Sequence, residues 1–71
     1  MAVKKLVIIT LLDNKEWVLE NAEKFNVTVH RYYETVGKTE MGDYEAIAFV
    51  LSGQGVGDFI DAIDDVDEFG C

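Results

Sequence analysis

Two apolar segments constrain the fold of this chain more than any other feature. They read "LVIITLL", from Leu6 to Leu12, and "YEAIAFVL", from Tyr44 to Leu51. Apolar and β-branched residues stand at almost every position, which is typical of strands buried on both faces. The segment between them, "VTVHRYYETV" from Val27 to Val36, interleaves polar residues with β-branched and aromatic ones. It predicts a strand with a more exposed position in the same sheet.

Two further segments have helical spacing. In "DNKEWVLENAEKF", Asp13 is a candidate N-cap and Glu16 completes a capping-box pattern. Asn26, the next residue, is predicted to end the helix in the left-handed conformation. The apolar residues of this first predicted helix fall on one side: Val18, Ala22 and Phe25. The last predicted helix carries apolar residues at helical spacing almost to the end of the chain: Phe59, Ile60, Ile63, Val66 and Phe69.

The predicted order is strand, helix, strand, strand, helix, with "GKTEMGD" as a short loop between the second and third strands. This is an α+β, ferredoxin-like βαββα arrangement whose fourth strand is missing or a stub. Right-handed crossovers place both helices on one face of an antiparallel-containing sheet. The apolar first and third strands fit the centre of that sheet, and the polar second strand fits an edge. We expect residues 1–71 to form a single small α/β sandwich domain.

The helix-free face of the predicted sheet is also apolar. Alternation gives each of these strands two apolar sides, so whichever side faces away from the helices is apolar. The two sides are Leu6, Ile8 and Leu12 against Val7, Ile9 and Leu11 in the first strand, and Ile47, Phe49 and Leu51 against Ala46, Ala48 and Val50 in the third. In addition, a missing fourth strand would leave the first strand with an unpaired edge. A second copy of the chain would cover both, so we expect a homodimer or a higher symmetric oligomer.

The net charge of −8, from 14 acidic and 6 basic residues, makes nucleic acids and anionic membranes poor partners. A cation, a basic partner protein or simple solubility remains as the explanation of this charge. The single cysteine, Cys71, excludes a disulfide framework and favours a reducing compartment. No apolar run approaches the roughly 20 residues of a membrane span. We therefore expect a cytoplasmic protein.

The glycine-rich turn "SGQGVG" is the first candidate site, with Ser52, Gly53, Gly55 and Gly57 as ligand-binding residues. It departs from the dinucleotide fingerprint because Asp58 stands where the third glycine belongs. Two interpretations stay open. One is a strand-to-helix turn capped by Ser52 or Asp58, and the other is a loop that binds a small ligand through backbone N–H groups.

The acidic end of the chain is the second candidate site, because carboxylates at this density are ligands for Ca²⁺ or Mg²⁺. The candidate metal ligands are Asp61, Asp64, Asp65, Asp67 and Glu68. Asp61, Asp65 and Glu68 would share one side of the last predicted helix. The competing interpretation is a solvated helix face without a metal.

The second strand offers a third candidate. Strict alternation would place His30, Tyr32 and Glu34 on one face and Arg31 and Tyr33 on the other. A histidine beside a tyrosine and a glutamate suits proton transfer. A small enzyme of the dimeric α/β-barrel kind is therefore an alternative to a non-enzymatic binding protein.

The order βαββα, the helix-opening "DNKEW", "NVTVHRYYETVG" and "YEAIAFVLSGQGVGDFIDAI" together resemble small ferredoxin-like regulatory domains of the ACT and PII-like kind. The loop that PII proteins use for signalling is reduced here to roughly residues 37–43. The resemblance implies an oligomer that binds a small metabolite, such as an amino acid or a nucleotide, between subunits.

Overall fold

A computed structural model describes residues 5–63 and 66–70, the last two by their backbone. The elements are β1 (Leu6–Leu11), α1 (Lys15–Asn21), β2 (Thr28–Thr39), β3 (Gly42–Ser52), α2 (Val56–Asp61) and β4 (Asp67–Gly70). Two 3₁₀ turns, Leu12–Asn14 and Glu23–Phe25, lie before and after α1.

The four strands form one antiparallel sheet in the order β2-β3-β1-β4. β1 pairs with β3 from Leu6 opposite Leu51 to Leu11 opposite Ala46. The apolar strands β1 and β3 are central and the polar strand β2 is an edge, as the sequence predicts. The ferredoxin-like α+β arrangement is confirmed, with its fourth strand present as a four-residue stub.

The core lies between the helices and one face of the sheet. Ile8, Phe49 and Leu51 are among the sheet residues that pack there against buried Val18 and Phe59 of the two helices. Trp17 stacks on Phe59 with ring centroids 5.4 Å apart. Both helices therefore bury their apolar sides on the same face of the sheet.

The end of the chain differs from its predicted helix. α2 stops at Asp61, and residues 67–70 form β4, which pairs with Leu6–Ile9 of β1. A helix that ran on would end in several carboxylates, which the negative end of the helix dipole disfavours. The strand instead satisfies backbone groups along the free edge of β1. The edge that the sequence left unpaired is thus covered by the chain itself along those four residues.

The predicted helix caps are wrong in detail. Asp13 lies within the first 3₁₀ turn, and the N-cap of α1 is Asn14, which makes no side-chain capping bond. The Asn14 side chain instead donates a 2.8 Å hydrogen bond to Oγ1 of buried Thr10. Neither Ser52 nor Asp58 caps α2, because its N-cap is Gly55.

The predicted loop at residues 37–43 is mostly strand. β2 and β3 remain paired out to Thr39 opposite Gly42, so only Glu40 and Met41 form the tip of a long hairpin. A Cβ at Gly37 would overlap the ring of Tyr44, its cross-strand partner, so glycine allows the ring to lie across the ribbon. Met41 at the tip is 99% exposed.

Asn26 adopts the left-handed conformation that the sequence predicts, with a φ of 58°. In this conformation the Cβ of a residue crowds the following carbonyl oxygen. Asparagine offsets that steric cost by local hydrogen bonding, and glycine avoids it because it has no Cβ. We expect Asn26→Ala to lower the free energy of unfolding by about 1 kcal/mol. Asn26→Gly should leave it nearly unchanged, and chemical denaturation of the three proteins measures the difference. Equal losses in both variants would contradict this explanation.

Among residues 5–63 and 66–70, no helix is long and apolar enough to cross a membrane.

Candidate functional site

The helix-free face of the sheet, called the open face below, carries one of the two apolar sides of each central strand. Val7, Ile9 and Leu11 are paired with Val50, Ala48 and Ala46, and all six lie outside the core cluster. The three residues of β1 are partly exposed, whereas those of β3 are already buried by their neighbours. The exposed apolar surface is therefore smaller than the sequence indicates, and it is centred on β1.

A β-bulge in β2 changes which side chains reach the open face. Val29 pairs with Leu51 and Arg31 pairs with the next residue, Val50, so His30 is an extra residue between them. Because an extra residue interrupts the alternation of a strand, the grouping of His30 with Tyr32 and Glu34 is wrong. His30 instead lies beside Arg31, on the open face.

His30 and Arg31 line a concavity of about 500 Å³ on this face, together with Lys5, Val7 and Val50. The Nε2 atom of His30 forms a 2.7 Å hydrogen bond with Oγ of Ser52, which is buried. Ser52, one residue of the predicted glycine-turn site, is thus hydrogen-bonded to a residue that lines the concavity.

The charge of this concavity is opposite to that of the chain. The sequence has only six lysines and arginines and one histidine against 14 acidic residues. Two of those six cations, Lys5 and Arg31, and the histidine line one depression, and among the lining residues that the structure describes none is acidic. In the part of the chain that the structure describes, neither Lys5 nor Arg31 forms a salt bridge. We call Lys5, His30 and Arg31 the basic cluster.

At two of the three glycines of the predicted turn site, the absence of a side chain allows another segment of backbone to pack closely. Gly53 has a φ of 130°, and a Cβ there would overlap the carbonyl oxygen of Asn26. A Cβ at Gly55 would overlap the carbonyl of Phe25. At Gly57 a Cβ would meet none of the described residues within 4 Å. The close approach of two backbones explains Gly53 and Gly55, and their role in ligand binding stays a prediction.

The candidate metal ligands do not share one helix side. Asp61 is the last residue of α2, whereas Asp67 and Glu68 lie on β4 opposite Ile9 and Ile8, and so alternate between the faces of the sheet. Asp64 and Asp65 lie outside the described residues. Within the described ranges no three His, Cys, Asp or Glu side chains are grouped to hold a metal ion. Binding of Ca²⁺ or Mg²⁺ stays a prediction.

Tyr32 and Glu34 lie on the helix side of the sheet, away from His30. The ring of Tyr32 packs against Phe49 at 5.6 Å, and Lys15 is 3.6 Å from the Glu34 carboxylate. This exposed ion pair contributes little to stability. It borders a second concavity of about 430 Å³, lined by Leu12, Asp13, Lys15, Glu16 and Glu34. The His–Tyr–Glu arrangement that suggested an enzyme is not formed.

Comparison with solved structures identifies the fold. The chain aligns with CPII, a nitrogen regulatory PII-like protein from Thiomonas intermedia K12 bound to ADP, AMP and bicarbonate, with a TM-score of 0.55 and 22% identity. The alignment covers 97% of this chain and 89% of CPII. The fold is PII-like. A second CPII structure aligns with a TM-score of 0.47. No family model and no curated protein matches the chain.

Sequence reasoning missed Lys5 and Arg31 as site residues. Both are ordinary surface residues in the sequence, and Arg31 was assigned to the face opposite His30. The bulge that brings His30 and Arg31 to one face has no proline or glycine to mark it, since the residues around it read "TVHRYY". The one available signal is that a strongly acidic chain has a cation immediately before its first strand, Lys5, and another within its second, Arg31.

Proposed function

We propose that this chain is a non-enzymatic regulatory module whose copies associate through the open face and bind a small metabolite at their boundary. One observation carries the proposal. The open face combines partly exposed apolar side chains with a 500 Å³ concavity, and the chain's own helices cover only the other face.

The apolar residues of the open face support self-association. Val7, Ile9 and Leu11 are partly exposed, and fully burying a side chain of this size is worth roughly 1.5–3 kcal/mol. Tyr33, on the same face of β2, is 56% exposed and supplies an aromatic contact. Tyrosines are enriched at protein interfaces, and a symmetric oligomer would use each of these residues in every subunit.

The structural neighbour supports the choice of ligand class. CPII is a nitrogen regulatory PII-like protein, and its structure contains ADP, AMP and bicarbonate. These are small anions, and the concavity on the open face is basic. The predicted ligand-binding residues Ser52 to Gly57 begin at this concavity, because Ser52 is hydrogen-bonded to His30.

The lack of a disulfide framework supports a cytoplasmic location.

A ligand panel tests the proposal. Thermal unfolding with AMP, ADP, bicarbonate, individual amino acids, Ca²⁺ and Mg²⁺ should show stabilisation by at least one small anion. A ligand present at 100 times its Kd stabilises the folded state by about 2.7 kcal/mol, which raises the Tm of so small a domain by roughly 10 °C or more. A response to Ca²⁺ or Mg²⁺ alone would favour the cation-binding alternative. No response to any ligand would contradict the proposed function.

A further inference from the structure

We propose that the basic cluster, Lys5, His30 and Arg31, is an oxyanion-binding site that holds a phosphate or carbonate group of the ligand. The inference rests on the proposed function and deepens it, because it names the chemical class of the ligand and the residues that select it.

The first argument is the distribution of charge. On a chain with a net charge of −8, randomly placed cations would be surrounded by carboxylates. Lys5 and Arg31 instead line one depression without a salt bridge among the described residues, whereas Lys15, on the other face, is paired with Glu34. Like charges around one concavity repel each other, and a bound anion removes that repulsion.

The second argument is the bulge. Regular alternation would place His30 and Arg31 on opposite faces, so the extra residue in β2 is what brings both to the open face. Bulges recur where a strand redirects a side chain towards a site. The hydrogen bond between His30 Nε2 and Ser52 Oγ, at 2.7 Å, then fixes the imidazole across the strand pair.

The third argument is the chemistry of the lining. A guanidinium presents N–H donors in a planar fork that matches two oxygens of a phosphate or carboxylate-like group, and an ammonium adds a point charge. Val7 and Val50 form the apolar part of the lining. Exposed charges bind anions weakly in water, so a second copy packed over the open face would exclude water and strengthen these contacts.

Titrations followed by NMR test the site. Backbone amide shifts of the wild type are recorded at constant pH and ionic strength with inorganic phosphate, bicarbonate, AMP and uncharged adenosine. We expect shifts at residues 5, 7, 30, 31 and 50 with the anions and none there with adenosine. Binding of phosphate and AMP without bicarbonate assigns a phosphoryl ligand, and the reverse assigns a carbonate ligand. Each outcome supports the oxyanion site.

Charge-neutralising variants provide the control. Lys5→Gln and Arg31→Gln should each weaken binding of the effective anion about tenfold, because each removes one charge-assisted contact. Lys38→Gln removes the same charge from the distant end of β2 and should change the Kd less than about twofold. Circular dichroism melts confirm that all three variants fold.

Several results would overturn the inference: no anion-induced shift near the basic cluster, adenosine bound as well as AMP, or equal anion affinity in all variants. Sedimentation of the same samples distinguishes a failure of the oxyanion site from a failure of the proposed self-association. An oligomer that binds another small ligand but no anion contradicts only the oxyanion site. A monomer that binds the anion contradicts the self-association and leaves the site intact.

Discussion

Gly55→Ala should lower the free energy of unfolding by about 3 kcal/mol or more, a large part of the roughly 4–10 kcal/mol available to a domain of this size. The added methyl group would overlap the carbonyl of Phe25, which is backbone and has no rotamer by which to move aside. The turn before α2 would have to separate from the turn after α1. That separation would disturb the packing of Phe25 against Phe59, whose rings lie 5.2 Å apart.

Gly57→Ala is the matched control. Gly57 is the second residue of α2, and a methyl group there meets no atom of residues 5–63 and 66–70 within 4 Å. Because alanine favours helix over glycine, this variant should be unchanged or more stable by up to about 1 kcal/mol. Chemical denaturation followed by tryptophan fluorescence measures both variants, since Trp17 stacks on Phe59. If Gly55→Ala were as stable as Gly57→Ala, the backbone contact at Phe25 would not constrain the fold as described.

Ile9→Lys should convert the protein into a folded monomer. Ile9 is partly exposed on the open face and lies outside the core cluster, so a single chain tolerates the lysine. In an oligomer the ammonium would be taken out of water into an apolar interface, which costs several kcal/mol per subunit, and Asp67 opposite it on β4 would offset only part of that cost. Ala48→Lys acts on the same face, but Ala48 is fully buried between Ile9 and Tyr33, so this change would also disturb the subunit itself.

Leu19→Lys provides the corresponding control on the helix side. Leu19 of α1 is 40% exposed, and the substitution makes a comparable change of size and charge. Size-exclusion chromatography with light scattering should show a monomer for Ile9→Lys and the wild-type mass for Leu19→Lys. If Leu19→Lys dissociates the protein and Ile9→Lys does not, the helices form the interface and the open face does not.

The arrangement of the sheet could be predicted because its signal is local and redundant. β1 and residues 46–51 of β3 are apolar at nearly every position, and such strands need cover on both faces and a central place in the sheet. The polar residues of β2 suit an edge. Asn26 was predictable for a similar reason, since asparagine is one of the few residues that accept a φ near 58°.

The features that the sequence did not reveal depend on contacts between distant segments. Residues 67–70 have helical spacing with α2, but pairing with β1 decides their conformation. The bulge at His30 depends on the register of β2 against β3 and decides which side chains share the concavity. The basic cluster joins residues 5, 30 and 31, and no local pattern connects Lys5 to the other two.

Sedimentation of the wild-type protein at micromolar concentration measures directly whether copies of the chain associate. We expect a particle whose mass is a small multiple of the 8.0 kDa chain, and we expect Ile9→Lys to dissociate it. A wild-type protein that sediments as an 8.0 kDa monomer throughout this range would contradict the proposed self-association.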